Sequence, residues 1–196
     1  MSQLNQDDHQ LSESTPIEIK KWDELEIHPD ILRGIYAYGF ERPSPIQCKA
    51  ITPILQKRDI IAQAQSGTGK TAAFTIGALG RIDLLIQATQ ILVLAPTREL
   101  TKQIAGVFTN LSNMMKNVHV KTLVGGTSSE EDVRSLRKNT YHVIVGCSGR
   151  VYDMLRRNVL ITTNIKLVII DEADEMMANG FKDQLYDIFQ YLNNDV

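Results

Sequence analysis

A chain of 196 residues, with 43% hydrophobic and 22% charged side chains, is long and apolar enough for one α/β domain with a full core. Its net charge of −2 excludes a global basic field, so any nucleic-acid binding must come from local groups. Its two cysteines, Cys48 and Cys147, exclude a disulfide framework or a zinc cluster, and no apolar run approaches the length of a membrane span.

Residues 1–20 are rich in Gln, Ser, Asp and Glu and are expected to form a disordered tail. Residues 21–196 then make one domain. From Pro29 to Tyr38, the residues Ile31, Leu32, Ile35 and Tyr36 fall at helical spacing, and Gly39 is a natural stop. A second helix is expected from Ser44-Pro45 to about Gln56. Strands are then expected near 59–63, 91–95, 118–124, 142–146 and 166–170. The runs Ile91 to Leu94 and Leu167 to Ile170 are apolar on both faces, as buried parallel strands require. Between them, residues 97–116 carry Leu100, Ile104, Phe108, Leu111 and Met115 on one helical stripe. Ser128 with Glu131 reads as a capping box. Met176 and Met177 read as core packing. The alternation predicts an α/β doubly wound parallel sheet with helices on both faces, whose ligands sit at the carboxyl ends of the strands.

Every unusual segment falls at such an end. Ala64-Gln65-Ser66-Gly67-Thr68-Gly69-Lys70-Thr71 follows the first expected strand. Its glycines let backbone N–H groups approach phosphate, Lys70 adds charge, and the Thr71 hydroxyl suits Mg²⁺. The strict pattern opens on Gly, and here that position is Ala64. Asp171-Glu172-Ala173-Asp174 follows the last strand. Asp171 is placed to hold the metal, partly through water, and Glu172 to orient or deprotonate an attacking water. Between these, Pro96-Thr97-Arg98, Gly125-Gly126 and Cys147-Ser148-Gly149-Arg150 follow the middle strands. They offer arginines, hydroxyls and glycine-exposed amides, a set suited to successive phosphates.

In this order the motifs resemble those of the DEAD-box RNA helicases, from about Trp22 to the end of the chain. The resemblance implies a RecA-like fold, ATP and Mg²⁺ as cofactors, and RNA-stimulated ATP hydrolysis. Gly39 to Gln47 resembles the family's adenine-reading segment, which implies that Gln47 reads the base, Phe40 stacks on it and Arg42 contacts it through the backbone. A Gln amide can both donate to and accept from adenine. Trp22 matches an isolated upstream aromatic. It either packs as an anchor or folds this segment over the site. Gln65, Ser66, Gly67, Thr68, Gly69, Lys70 and Thr71 would hold the phosphates, with Lys70, Asp171 and Glu172 catalytic and Thr71 and Asp171 on the metal. Pro96, Thr97, Arg98, Gly125, Gly126, Gly149 and Arg150 would hold the backbone of single-stranded RNA.

The runs at 34–40 and 171–182 are similar to the family's translation-initiation branch and its nuclear exon-junction paralogue. That implies a cytoplasmic or nuclear location and scaffold proteins of translation initiation as partners. Two departures stand out. Cys147-Ser148 replaces the family's Thr-Pro, exchanging a hydroxyl for a weak S–H donor and losing proline's fixed φ. The family's Ser-Ala-Thr motif and second RecA-like domain are not among the 196 residues. The chain is therefore expected to be an N-terminal domain, nearly inactive by itself, that needs a second RecA-like domain as partner. Two alternatives stay open. A phosphate-loop GTPase or kinase would be one, but no Asn-Lys-x-Asp guanine motif is present. The other is an ATP-gated RNA clamp without helicase activity.

Overall fold

Apolar runs of β-branched residues build the centre of the molecule. The structure, a computed structural model, describes residues 18–178, 180–193 and 196. Four strands, β1 (Ile91–Leu94), β2 (Val120–Leu123), β3 (Val143–Gly146) and β4 (Leu167–Ile170), form one parallel sheet in the order β2-β3-β1-β4. Their registers, Leu94 opposite both Gly146 and Ile170 and Leu123 opposite Gly146, bring all four carboxyl ends to one edge.

The period-two alternation of strands sorts the core into two layers. Ile91, Val93, Val143 and Val145 pack with Ile104, Phe108 and Leu111 on one face. Leu92, Leu94, Leu123 and Ile144 pack with Val151, Met154 and Ile188 on the other. Helices α1 (Pro29–Ala37), α2 (Pro45–Leu55), α3 (Lys70–Gly80) and α4 (Arg98–Leu111) contribute to the first layer. Helices α5 (Ser129–Lys138), α6 (Ser148–Arg156), α7 (Ala173–Ala178) and α8 (Lys182–Phe189) contribute to the second. Each fully buried Ile, Leu or Val contributes roughly 1.5–3 kcal/mol, so these layers dominate the stability of the fold.

Side chains meet the open backbone groups at three helix starts, and of the expected Ser128–Glu131 box only the Ser128 half forms. At α2 the Ser44 N–H donates to Gln47 Oε1, Thr97 caps α4 through Leu100 N–H, and Ser128 caps α5 through Glu131 N–H. Gly39, at φ 91°, lies just past α1. Three further expectations are corrected. α4 stops at Leu111, short of residue 116, and a turn closed by Met115 N–H on the Ser112 carbonyl carries Met115 into the core. Met176 is buried but Met177 is 53% exposed, because α7 is a single short surface helix. Ordered packing begins before residue 21: Ile19 is buried and its N–H donates to the Cys48 carbonyl. The rest of the expected tail, residues 1–17, lies outside the described residues.

The largest correction concerns residues 59–63, expected as the first strand. They form no strand and pair with none, and Ile60 and Ile61 are 39% and 104% exposed. Asp59, Ile60 and Ala62 line a cleft of about 730 Å³ together with β4. β4 is consequently the open edge of the sheet, and all four of its residues are only half-buried, against full burial along β1 and β3.

Candidate nucleotide site and phosphate rim

The phosphate loop needs two left-handed residues, and glycine supplies both: Gly67 at φ 79° and Gly69 at φ 95°. Thr68 closes the turn onto the Gln65 carbonyl through its N–H and its hydroxyl. Gln65, Ser66 and Gly67 are exposed. Gly69 is the N-cap of α3, so the amides of Lys70 and Thr71 lie in the helix's first turn, where unpaired N–H groups and the helix dipole favour an anion. Lys70 Nζ donates to the Ala64 carbonyl at 2.7 Å, which folds the lysine back over its own loop.

In the cleft beside β4 stands Asp171. Its N–H donates to the Leu94 carbonyl, extending the β1–β4 pairing by one residue. Its side chain is 9% exposed and accepts the Glu172 N–H at 3.1 Å. Burial pushes the Asp171 carboxyl above the ordinary carboxylate range. The Glu172 charge adds to that rise, while the Glu172 N–H and Lys70 oppose it. Glu172 itself sits at φ 48°, a left-handed conformation uncommon for a non-glycine residue and characteristic of functional sites. Lys70 and Asp171 line one cleft.

Of the expected base-reading residues, Gln47 arrives with both ends of its amide engaged. Gln47 is 3% exposed. Its Oε1 accepts the Ser44 N–H at 2.7 Å and its Nε2 donates to the Gly69 carbonyl at 3.3 Å. It therefore ties α2 to the phosphate loop. A side chain at Gly69 would come within 2.6 Å of that amide, so the position requires glycine for space as well as for φ. Phe40 is half-buried beside Tyr38, with ring centroids 4.8 Å apart, and Arg42 is exposed. Trp22 resolves as a packing anchor: it is 1% exposed, and its Nε1 donates to the Phe40 carbonyl at 3.1 Å. It fixes the base-reading segment from behind.

The remaining expected residues share a second groove of about 620 Å³, lined by Pro96, Thr97, Arg98, Glu99, Gly125, Cys147, Gly149 and Arg150. Gly126 borders it, at φ 77°, and any side chain there would collide with the Arg98 guanidinium. Gly126 thus lies against the Arg98 guanidinium, which is exposed at the mouth. Arg150 differs. Its guanidinium pairs with Asp132 and donates to the Thr127 carbonyl at 2.8 Å and the Thr127 hydroxyl at 3.3 Å.

Cys147 makes no cap bond for α6, and its Sγ lies 3.5 Å from the Thr101 hydroxyl. Ser148 is 1% exposed and donates to Gln184 Oε1 on α8 at 2.6 Å. The reading of the sequence missed Asp132, Thr127 and Gln184. Asp132 was hidden in the acidic first turn of α5, and only its burial marks it.

Comparison with known proteins came out consistently. A family model described as DEAD/DEAH box helicase matches residues 44–196, a span that excludes Phe40 and Arg42. An ATP-dependent RNA helicase eIF4A of Schizosaccharomyces pombe is 52% identical over 174 residues, covering 89% of this chain and 44% of its own length. Eukaryotic initiation factor 4A of Drosophila melanogaster is 54% identical over 175 residues, covering 89% and 43%. Among solved structures, a DEAD box protein from Methanococcus jannaschii superposes with a TM-score of 0.85 at 33% identity, covering 91% of this chain and 48% of that one. Dbp5 of Saccharomyces cerevisiae, bound to RNA and ADP BeF3, superposes with a TM-score of 0.80 at 37% identity, covering 91% and 45%. The chain spans less than half the length of these relatives.

Proposed function

This chain belongs to the DEAD/DEAH box helicase family, and on that premise we propose that it is the ATP- and RNA-binding N-terminal RecA-like domain of an ATP-dependent RNA helicase of the initiation factor 4A type. The observation that carries the reading is that Lys70 and Asp171, about 100 residues apart in sequence, line one cleft that runs along the open β4 edge of the sheet to its carboxyl end. A phosphate-binding cation and a metal-holding carboxylate in one cleft are the minimum for binding a nucleoside triphosphate.

In this reading the amides of α3's first turn and Lys70 bind the phosphates, for which Lys70 must leave the Ala64 carbonyl. Glu172, exposed beside Asp171, orients the attacking water. Among the described residues no three His, Cys, Asp or Glu side chains gather as a metal cage. The Thr71 hydroxyl and the Asp171 carboxylate are oxygen donors of the kind that would hold a Mg²⁺ taking its remaining ligands from water and phosphate. The buried Asp171 carboxylate, short of positive charge, suits such a cation. Bound there, Mg²⁺ would neutralise charge developing on the phosphates.

Gln47 keeps a second amide hydrogen and a second lone pair for adenine, and its bond to the Gly69 carbonyl links base recognition to the shape of the phosphate loop. The second groove holds the backbone of single-stranded RNA without reading bases. A second RecA-like domain, and scaffold proteins of translation initiation, are the partners this reading implies, in the cytoplasm or, for the nuclear paralogue, the nucleus.

Calorimetric titration with ATP, ADP, GTP and GDP in the presence of Mg²⁺ tests it. Adenine nucleotides should bind more tightly than guanine nucleotides, and Gln47→Ala should lose about 1–3 kcal/mol of that preference. Equal affinity for both bases would refute the adenine site.

A further inference from the structure

Arg150 looks from sequence like a phosphate ligand, yet its hydrogen bonds run inward. Its side chain is 10% exposed and Asp132's is 7%. Asp132 takes Arg150 on one carboxylate oxygen and Lys121 Nζ, at 2.9 Å, on the other. The two Thr127 contacts then fasten Arg150 to the loop that carries Gly125 and Gly126. Three elements thus meet at one carboxylate: β2 through Lys121, α5 through Asp132, and the first turn of α6 through Arg150. A second fastening, Ser148 to Gln184, ties the same turn of α6 to α8. By contrast Arg98, on the opposite wall, is exposed and pairs with no acid among the described residues.

We propose that Asp132 is a positioning residue of this rim: it holds Arg150 as a brace between the Gly125–Thr127 turn and the N-terminus of α6, so that a backbone phosphate in the groove meets main-chain N–H groups and Arg98 rather than Arg150. The identity of the ligand rests on the proposed function; the brace itself does not. Three features support the division of labour. A guanidinium shared between a buried carboxylate and a backbone carbonyl has few donors left for a ligand. Buried charges persist where they are paired, and unpairing one is costly. A groove whose walls are cross-linked presents its amides in a fixed arrangement, as a site with little reorganisation to undergo should.

The test joins two readouts on this chain. Binding of a fluorescein-labelled oligouridylate is followed by anisotropy across salt concentration, and amide hydrogen exchange is followed by mass spectrometry without RNA. Arg98→Gln should weaken binding and reduce the salt slope by about 0.7, the contribution of one phosphate contact to a single strand. Arg150→Gln should weaken binding several-fold at an unchanged slope and speed exchange at Gly125 to Thr127. Asp132→Asn removes a negative charge near the groove, so electrostatics alone predicts tighter binding, whereas the brace predicts weaker binding and faster exchange. If Asp132→Asn does not fold, Arg150→Gln decides, because Asp132 keeps Lys121. A slope that falls for Arg150→Gln as it does for Arg98→Gln, or exchange at 125–127 unchanged in both variants, overturns the brace. Absence of oligouridylate binding by the unaltered chain would count against the proposed function alone, and the exchange readout would still decide the brace.

Discussion

The two halves of the functional edge are built differently. On the β2–β3 side the polar groups satisfy one another: Asp132 with Lys121 and Arg150, Arg150 with Thr127, Ser148 with Gln184. On the β4 side, Ile60 and Ile61 lie exposed, β4 has an open edge, Lys70 folds onto its own loop, and Glu172 holds a left-handed backbone. Cross-linked walls have one arrangement; unpaired ones can take several. The difference teaches that the groove of the first half is preformed, whereas the cleft of the second is completed by what binds it.

The largest expected effect is on the open half. Lys70→Ala should weaken ATP binding at least tenfold in calorimetry while leaving the melting temperature nearly unchanged, because Lys70 contributes one hydrogen bond to a loop carbonyl and nothing to the core. A comparable loss of stability would break the comparison, since it would make the open loop a structural element.

Next in size is a paired test of packing. Leu94→Ala, in fully buried β1, should cost about 2–5 kcal/mol in urea unfolding. Ile61→Ala should stay within about 0.5 kcal/mol, as befits a fully exposed side chain. Equal costs would mean that residues 59–63 pack in solution as a strand.

Asp171→Asn should raise the melting temperature at neutral pH. Asp171 has a folded-state pKa above its unfolded value, chiefly through burial. The folded state therefore favours the protonated form. Its contribution to stability is fully present below the unfolded pKa of about 4 and is lost as pH rises through the raised folded value. The advantage of the Asn variant should therefore shrink as pH falls through that window. An advantage independent of pH would mean that it does not come from removing the charge. The same substitution should impair metal-dependent nucleotide binding, a trade of function for stability.

The smallest effect belongs to the braced half. Cys147 caps nothing, and α6's first turn lacks a side-chain acceptor. Cys147→Thr should add about 0.5–1 kcal/mol as a cap. Ser148→Pro suits a first helical position but forfeits the bond to Gln184, so the double change should gain less stability than Cys147→Thr alone. A double variant more stable than the single would show that the Ser148–Gln184 bond is worth little.

Much of this edge was legible in the residue order. Buried strands announced themselves as β-branched runs, helix starts as Ser and Thr caps, and the glycines of the phosphate loop proved to be left-handed. What stayed hidden depended on partners distant in sequence. Residues 59–63 have the composition of a strand, but pairing is a property of two segments, and this one pairs with none. Arg150 matched a ligand pattern, but the direction of its guanidinium is set by Asp132 and Thr127, on another helix and another loop. Gln47 was recognised as polar and placed near the base, yet its burial against Gly69 follows from how α2 docks on α3.

Amide hydrogen exchange of the unaltered chain, with and without ATP and Mg²⁺, tests the division of this edge most directly. The account predicts fast exchange at 58–66 and slow exchange at 125–127 in the free chain. It predicts that nucleotide slows exchange at 64–71 and 171–172 while leaving 125–127 unchanged. Equal exchange in the two halves of the free chain, or protection by ATP that spreads evenly across both, would contradict it.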